Sequence, residues 1–355
     1  MNDMISDEDA TFIAKSKLLN WEKFEKKTVL VTGANGYVPS YFVNTLMKRN
    51  ELFNDDIKVI ALCRNEKSAR EKFASFLDNA NFELIIQDVT DPLAYGKKIN
   101  YYIHAASPAG YFTRHHNPAD TFTANVIGCK NLLDHSRLNS VDGFLLLSSV
   151  DIYGRNTEVT RLSEDSYGFL DPLDPRGSYS SGKLAAESLC KSYYLQHKVP
   201  CKIVRPFQIL GNGLNLKDGR LHADFISQLL SKKQITLKGD GSPSRTFMYV
   251  NDAIIAMLLV MLNGKSGDAY NVCSEEGEIT VLQLAELMND LQQDVTESVV
   301  FDATQREKIE VRNAIPNVLG DASKLRELGF ETQFSLKEGI ARMMQAYGIK
   351  TVRKL

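Results

Sequence analysis

No apolar run in this chain approaches the length of a membrane-spanning helix, so no such span is expected. The stretch from Met1 to Lys27 opens on acidic residues and lacks a basic segment followed by an apolar one. It therefore reads as neither a signal peptide nor a membrane anchor. The five cysteines, Cys63, Cys129, Cys190, Cys201 and Cys273, are odd in number and scattered. Without a CxxC pair or Cys/His ligand spacing they predict no metal site, but buried reduced thiols of a cytoplasmic protein. A formal net charge of -2 argues against a nucleic-acid binder or a membrane-surface protein. There is no internal repeat and no low-complexity segment. What remains is 355 residues, 43% of them apolar and 24% charged. That is enough for a large core in one large α/β unit or two domains.

Short continuous apolar runs alternate with helical patterns along the first part of the chain. Thr28–Thr32, Ile57–Leu62, Phe82–Ile86, Tyr101–Ala105, Gly143–Ser148 and Lys202–Arg205 read as buried strands. Helical patterns lie between most of them, as over about Val38–Lys48 and Thr121–Asp134. This alternation predicts an α/β fold, a Rossmann-type doubly wound parallel sheet. Beyond Gly211 the pattern changes. A helix near Leu221–Leu230 and short strands around Ile235–Leu237 and Ala269–Val272 predict a smaller C-terminal substrate-binding lobe whose segments return to the sheet. The expected division is an N-terminal helical extension (1–27), a dinucleotide-binding domain (28–206) and the lobe (207–355).

Two patterns carry chemistry. Gly33-x-x-Gly36 lies between the first strand and the first helix of the sheet, where a dinucleotide pyrophosphate sits. Glycines permit the tight turn, and the helix N-terminus attracts phosphate. Pro39 replaces the third glycine of such a motif and is tolerated in a first helical turn. The second strand ends at Cys63-Arg64-Asn65. An acidic residue there would bind the adenosine ribose and favour NAD. Arg64 suits a 2′-phosphate, adenine stacking or plain solvation. Asp88, after the third strand, is placed to meet the adenine edge.

The second pattern is Tyr179-Ser-Ser-Gly-Lys183. Residues one helical turn apart share a face, and an ammonium beside a phenol lowers its pKa, making it a base for an alcohol proton. Tyr194-x-x-x-Lys198 repeats the spacing, and context must choose between them.

Context comes from the order of the motifs. Gly33-x-x-Gly36, Asp88, His104-Ala105-Ala106-Ser107, Asn125 with Gly128, Ser148-Ser149, Tyr153-Gly154 and Tyr179-x-x-x-Lys183 are followed by Arg205-Pro206-Phe207, Gly239-Asp240-Gly241 and Arg245-Thr-Phe-Met-Tyr249-Val250-x-Asp252. This resembles the extended short-chain dehydrogenase/reductases, the NAD-dependent epimerase/dehydratase family of nucleotide-sugar enzymes. The resemblance runs over roughly residues 28 to 345.

It implies that Tyr179 takes the sugar O4 proton while C4 is oxidised, that Lys183 binds the nicotinamide ribose, and that Ser149 hydrogen-bonds O4. It assigns Asn35, Tyr37, Val38, Val89, Asn125 and Pro206 to the dinucleotide, and Ala105, Ala106 and Ser107 to the pocket it shares with the sugar. Gln208 stands where the family has Asn facing the sugar-nucleotide diphosphate. Arg245 matches an arginine that grips that diphosphate in a fork. The resemblance also implies NAD as cofactor, with NADP left open by Arg64, and a homodimer built on the Thr121–Asp134 helix and the helix after Tyr179.

A transient C4 ketone has three fates within the family: decarboxylation of a uronic acid, 4,6-dehydration or 4-epimerisation. Dehydratases carry adjacent Asp and Glu after the Ser/Thr, whereas this chain has Ser149-Val150-Asp151. Ala105-Ala-Ser-Pro108, Asp174-Pro-Arg176-Gly-Ser-Tyr179 and Lys217-Asp218-Gly219-Arg220 look most like the decarboxylases. The expected substrate is thus a nucleotide sugar, a UDP-sugar favoured, with Arg220 among its ligands. Arg176 and Arg312 are the candidates for a uronate carboxylate. A net NADPH-dependent keto-sugar reductase, which Arg64 favours, is the alternative of another class. A non-catalytic sensor is disfavoured because binding alone needs no Ser149, Tyr179 and Lys183.

Overall fold

The computed structural model describes residues 7–108, 110, 116–155, 161–174, 177–232, 234–293, 299–301 and 317–352. The buried apolar runs become strands and the segments between them helices. In chain order they are α1 (Asp7–Ala14), β1 (Thr28–Thr32), α2 (Tyr37–Phe53), β2 (Lys58–Cys63), α3 (Glu66–Lys72), β3 (Phe82–Ile86), β4 (Tyr101–His104), α4 (Pro118–Leu138), β5 (Gly143–Leu147), α5 (Ser178–His197) and β6 (Cys201–Pro206). The rest of the chain forms β7 (Gln208–Leu210), α6 (Leu221–Lys232), β8 (Thr236–Leu237), β9 (Ser244–Tyr249), α7 (Val250–Asn263), β10 (Ala269–Val272), β11 (Glu278–Thr280), α8 (Val281–Leu291), β12 (Val300–Phe301), β13 (Asn317–Val318), α9 (Ser323–Arg326) and α10 (Leu336–Ala346).

Seven strands form one parallel sheet in the order β10-β6-β5-β4-β1-β2-β3. The order reverses between β1 and β4, and such a switch point opens a crevice at the strands' carboxyl ends. This is the Rossmann-type sheet expected from the sequence. One face is covered by α2 and α7 and the other by α4 and α5. Beyond its first turn helix α7 is apolar on every side, and Val250 to Met261 are all buried, as expected of a helix inside a protein. Both long helices exceed their apolar patterns. Helix α4 starts earlier because Pro118 opens it, a position that needs no N–H. Helix α2 runs on because Asn50 braces the start of the next strand: its Nδ2 donates to the Ile57 carbonyl and its Oδ1 accepts from the Ile57 N–H (2.7 and 2.8 Å).

Beyond β6 a second apolar core gathers residues of α6, α8 and α10 around Phe247 and Leu210. Its sheet pairs β9 with β11, β13 and β7, and β8 pairs with β12. Asp9 of α1 accepts from Tyr249 Oη and Asn251 Nδ2, both at 2.9 Å, fastening the N-terminal segment to the junction of β9 and α7.

Candidate active site

The crevice is prepared by a short hydrogen-bond chain. Thr32 Oγ1, at the end of β1, accepts the N–H groups of Ala105 and Ala106 (3.2 Å each). Its own hydrogen is therefore left for His104 Nδ1, 2.9 Å away. Gly33 follows with φ +62°, and a Cβ there would lie 2.8 Å from the Ala106 Cα. Only glycine meets both the left-handed backbone and the close approach. Gly36 then opens α2 in an extended conformation with no side chain capping it, so the first N–H groups of the helix are left for an anion. Turn, close approach and uncapped helix fit the pyrophosphate of a dinucleotide.

Tyr179 and Lys183 lie one turn apart at the start of α5, 7% and 2% exposed. Lys183 Nζ is 5.9 Å from the Tyr179 ring centre and donates to the Leu147 carbonyl at 2.6 Å. Burial pushes its ammonium down to about 8, against the pull of Cys129, Glu187 and Cys190. His104 stays neutral beside it, driven down to about 3 by burial and then by the Lys183 charge. Gly182 lets α5 approach α4, because a Cβ there would be 3.2 Å from that of Asn125.

Ser149 caps the turn Val150–Tyr153, its Oγ accepting from Asp151 N at 3.1 Å. The turn is held by Tyr153, which donates to Asn271 Oδ1 (2.6 Å) and accepts from Arg205 Nη1 (3.1 Å). Arg205 also pairs with Glu187 of α5 at 2.7 and 3.1 Å. This buried network ties the Ser149 turn to the helix bearing Tyr179 and Lys183. The sequence reading missed this network; a charged residue inside the apolar run of β6 was the signal available, since a buried charge requires a partner.

One cavity of about 990 Å³ gathers most of these groups. Its walls include Gly33, Asn35, Gly36, Tyr37 and Val38 of the turn, Ala105 and Ser107 after β4, and Ser149, Asp151, Tyr179 and Lys183. Pro206 and Gln208 continue it, and Arg220 and Arg245 stand at its lobe end. Arg220 pairs with Asp218 at 3.1 Å. Among the described residues, five expected at the site are not on these walls. Ala106 lies behind Gly33, and Val89 packs on Gly128. Asn125 is buried, its Nδ2 bonded to the Thr121 carbonyl at 2.8 Å. Arg64 pairs with Asp88 at 3.6 Å. Burial opposes the Asp88 charge, but two hydrogen bonds from Thr90 and the Arg64 charge outweigh it and hold the carboxyl below its usual range. Arg176 and Arg312 lie outside the described residues. Lys198 carries a left-handed backbone at the end of α5, and its Nζ turns back to the Leu195 carbonyl, so the Tyr194–Lys198 pair takes no part in this cavity. Among the wall residues that escaped the sequence reading are Ser68, Glu71 and Lys72. Their spacing on α3 was the available signal.

The pattern of the NAD dependent epimerase/dehydratase family matches residues 29–273. The chain belongs to that family. It is 30% identical to UDP-glucuronic acid decarboxylase 6 of Arabidopsis thaliana over 337 residues, 94% of this chain and 93% of that one. Its fold is similar to that of an epimerase from Methanothermobacter thermautotrophicus (TM-score 0.79, 22% identity, 94% and 96% covered). It is likewise similar to that of dTDP-glucose 4,6-dehydratase from Bacillus anthracis, solved with NAD (TM-score 0.72, 21% identity, 91% and 96% covered). As a member of this family the chain is an enzyme that uses NAD. No helix among the described residues is long and apolar enough to cross a membrane.

Proposed function

We propose that this enzyme oxidises the sugar of a nucleotide sugar at C4 and is a UDP-glucuronic acid decarboxylase-like lyase. The observation that carries the reading is the convergence of Tyr179, Lys183 and Ser149 with the Gly33–Gly36 turn in one cavity. The relatives named UDP-glucuronic acid decarboxylase support the choice of substrate.

When bound, the nicotinamide supplies a reversible two-electron acceptor beside C4. Tyr179 removes the O4 proton, and the Lys183 ammonium, fixed by the Leu147 carbonyl, stabilises the phenolate. Ser149 orients O4. Dehydration would need a second carboxylate next to Asp151. That place is taken by Val150, which is buried and apolar, so proton abstraction at C5 by an Asp–Glu pair is disfavoured. Decarboxylation needs no such pair: once C4 is a ketone, the electron pair of the bond to the departing carbon dioxide passes into it as an enolate, which takes up a proton at C5, and return of the two electrons to C4 gives the pentose. Arg245 and Arg220 would grip the diphosphate at the lobe end, with Gln208 between them and the sugar. Within this reading residues 28–206 carry the dinucleotide and 207–355 most of the nucleotide sugar. The enzyme works in the cytoplasm as a homodimer paired through α4 and α5.

Incubation with UDP-glucuronate and NAD is expected to yield a UDP-pentose and carbon dioxide, followed by mass spectrometry. Tyr179→Phe should lower this turnover at least about 100-fold, the scale of acid-base catalysis. Unchanged UDP-glucuronate, or a variant as fast as the wild type, would overturn the proposal.

A further inference from the structure

A second concavity, a groove of about 800 Å³, shares no wall residue with the catalytic cavity. One side is α1 with the turn after it, and the other is Ile255 of α7 with Glu331 and Gln333. Helix α1 precedes the stretch that the family pattern matches, so the family gives this groove no role. Both sides are firmly built. Asp9 fastens α1 to Tyr249 and Asn251. Opposite, both Asp252 oxygens accept the Gln333 N–H at 3.1 Å, and Oδ2 also accepts that of Phe334 at 3.0 Å. The apolar part of the groove is Phe12, which lies edge-on to Phe334 at 4.8 Å and is still 38% exposed, together with the half-buried Leu18. Apolar surface left open in a concave site of this size is what a small molecule covers.

The charges on the walls are sorted by position. At the start of α1 the acids are matched, Asp7 with Lys48 at 2.5 Å and Glu8 with Arg342 at 2.9 Å. From Asp7 to Lys15 is about 12 Å along the helix. At that far end Lys15 and Lys17 are exposed, and neither forms an ion pair among the described residues. Glu331 on the opposite side is likewise unpaired there. Two ammoniums against one carboxylate leave the groove a net positive charge at one end of an apolar strip. A molecule with an apolar body and an anionic head matches both features. The surface is concave, which suits a single chain; the face of a bilayer would need a projecting patch.

We propose that this groove binds a free amphipathic carboxylate, with the apolar chain along Phe12 and Leu18 and the head at Lys15 and Lys17. Titration calorimetry of the full chain with decanoate and with decyltrimethylammonium compares opposite heads on matched tails. Decanoate is expected to bind saturably and at least about 10-fold tighter. Octanoate, two methylenes shorter, should bind about 4- to 15-fold more weakly than decanoate, because each buried methylene is worth about 4-fold. A Lys15→Glu, Lys17→Glu variant should lose at least about 10-fold toward decanoate. Phe12→Ser should erase the difference between octanoate and decanoate. These side chains are exposed, and circular dichroism checks that each variant is folded. Equal affinity for the two heads, or for the two tail lengths, would overturn the proposal, as would wild-type affinity in the double variant. Co-sedimentation with phosphatidylglycerol vesicles, without saturable decanoate binding, would overturn it in favour of a membrane surface. A Phe12→Ser variant of lower sedimenting mass than the wild type would overturn it in favour of a second copy. Because the groove is separate from the catalytic cavity, each of these outcomes leaves the proposed reaction standing.

Discussion

Lys183 is a buried cation, and its burial costs the fold stability. Its folded value of about 8 lies below the ordinary 10.5, so the fold favours the neutral form. Below about pH 8 both folded and unfolded chains carry the charge, and the fold bears the whole cost of burying it. Between the folded and unfolded values the folded chain sheds a proton that the unfolded one keeps, and stability rises with pH. Lys183→Met should therefore unfold at higher denaturant at neutral pH, with a gain of about 3 kcal/mol scaled from the shift. That gain should shrink as pH rises above about 8. Denaturant titrations at neutral and alkaline pH check it, and an equal gain at both would refute it. The Tyr179–Lys183 pair was legible because helical spacing sets two side chains on one face and the order of the neighbouring motifs singled it out from Tyr194–Lys198. Arg205 was legible only as a motif letter, since its partners Glu187 and Tyr153 come from elements distant in the chain.

At the scale of elements, the strands of the main sheet could be read because parallel strands buried on both faces are continuous apolar runs. The lobe was harder. Strands β7, β11 and β13 have two or three residues each, too few to display a period, and their pairing with β9 is set by the surrounding core. The glycine turn joins both scales. Gly33→Ala would place a methyl against Ala106 and force a left-handed backbone on a residue that resists it, a cost of about 1–2 kcal/mol before the clash is relieved. Calorimetry should find dinucleotide binding weakened at least about 10-fold, the equivalent of such a cost. Wild-type affinity in Gly33→Ala would remove the turn from the site.

For the molecule as a whole, α4 and α5 pack on each other and still expose Phe122, Leu184 and Leu195 at 41%, 44% and 58%. Leu184 and Leu195 are eleven positions apart, about three helical turns, and so lie on one side of α5. Covering such an apolar face is what a second copy would accomplish. Sedimentation should give twice the chain mass for the wild type and the single-chain mass for a Leu184→Glu, Leu195→Glu variant. A monomeric wild type would refute the homodimer. The segment before β1 was expected only as a helical extension, yet Asp9, Trp21 and Phe24 are buried. Its hydrogen bonds run to Tyr249 and Asn251, which no local pattern could reveal.

The sequence by itself determined the sheet, the glycine turn and the Tyr179–Lys183 pair. Each depends on neighbours within about one helical turn or one strand, where spacing dictates which way a side chain points. Only the tertiary structure decided which of these groups share a cavity. It brought Ser149, Gln208 and Arg245 to the same walls, added Ser68, Glu71 and Lys72, and set Val89 and Asn125 behind them. That choice rests on packing between elements far apart in the chain, where burial and the satisfaction of buried charges outweigh any local preference.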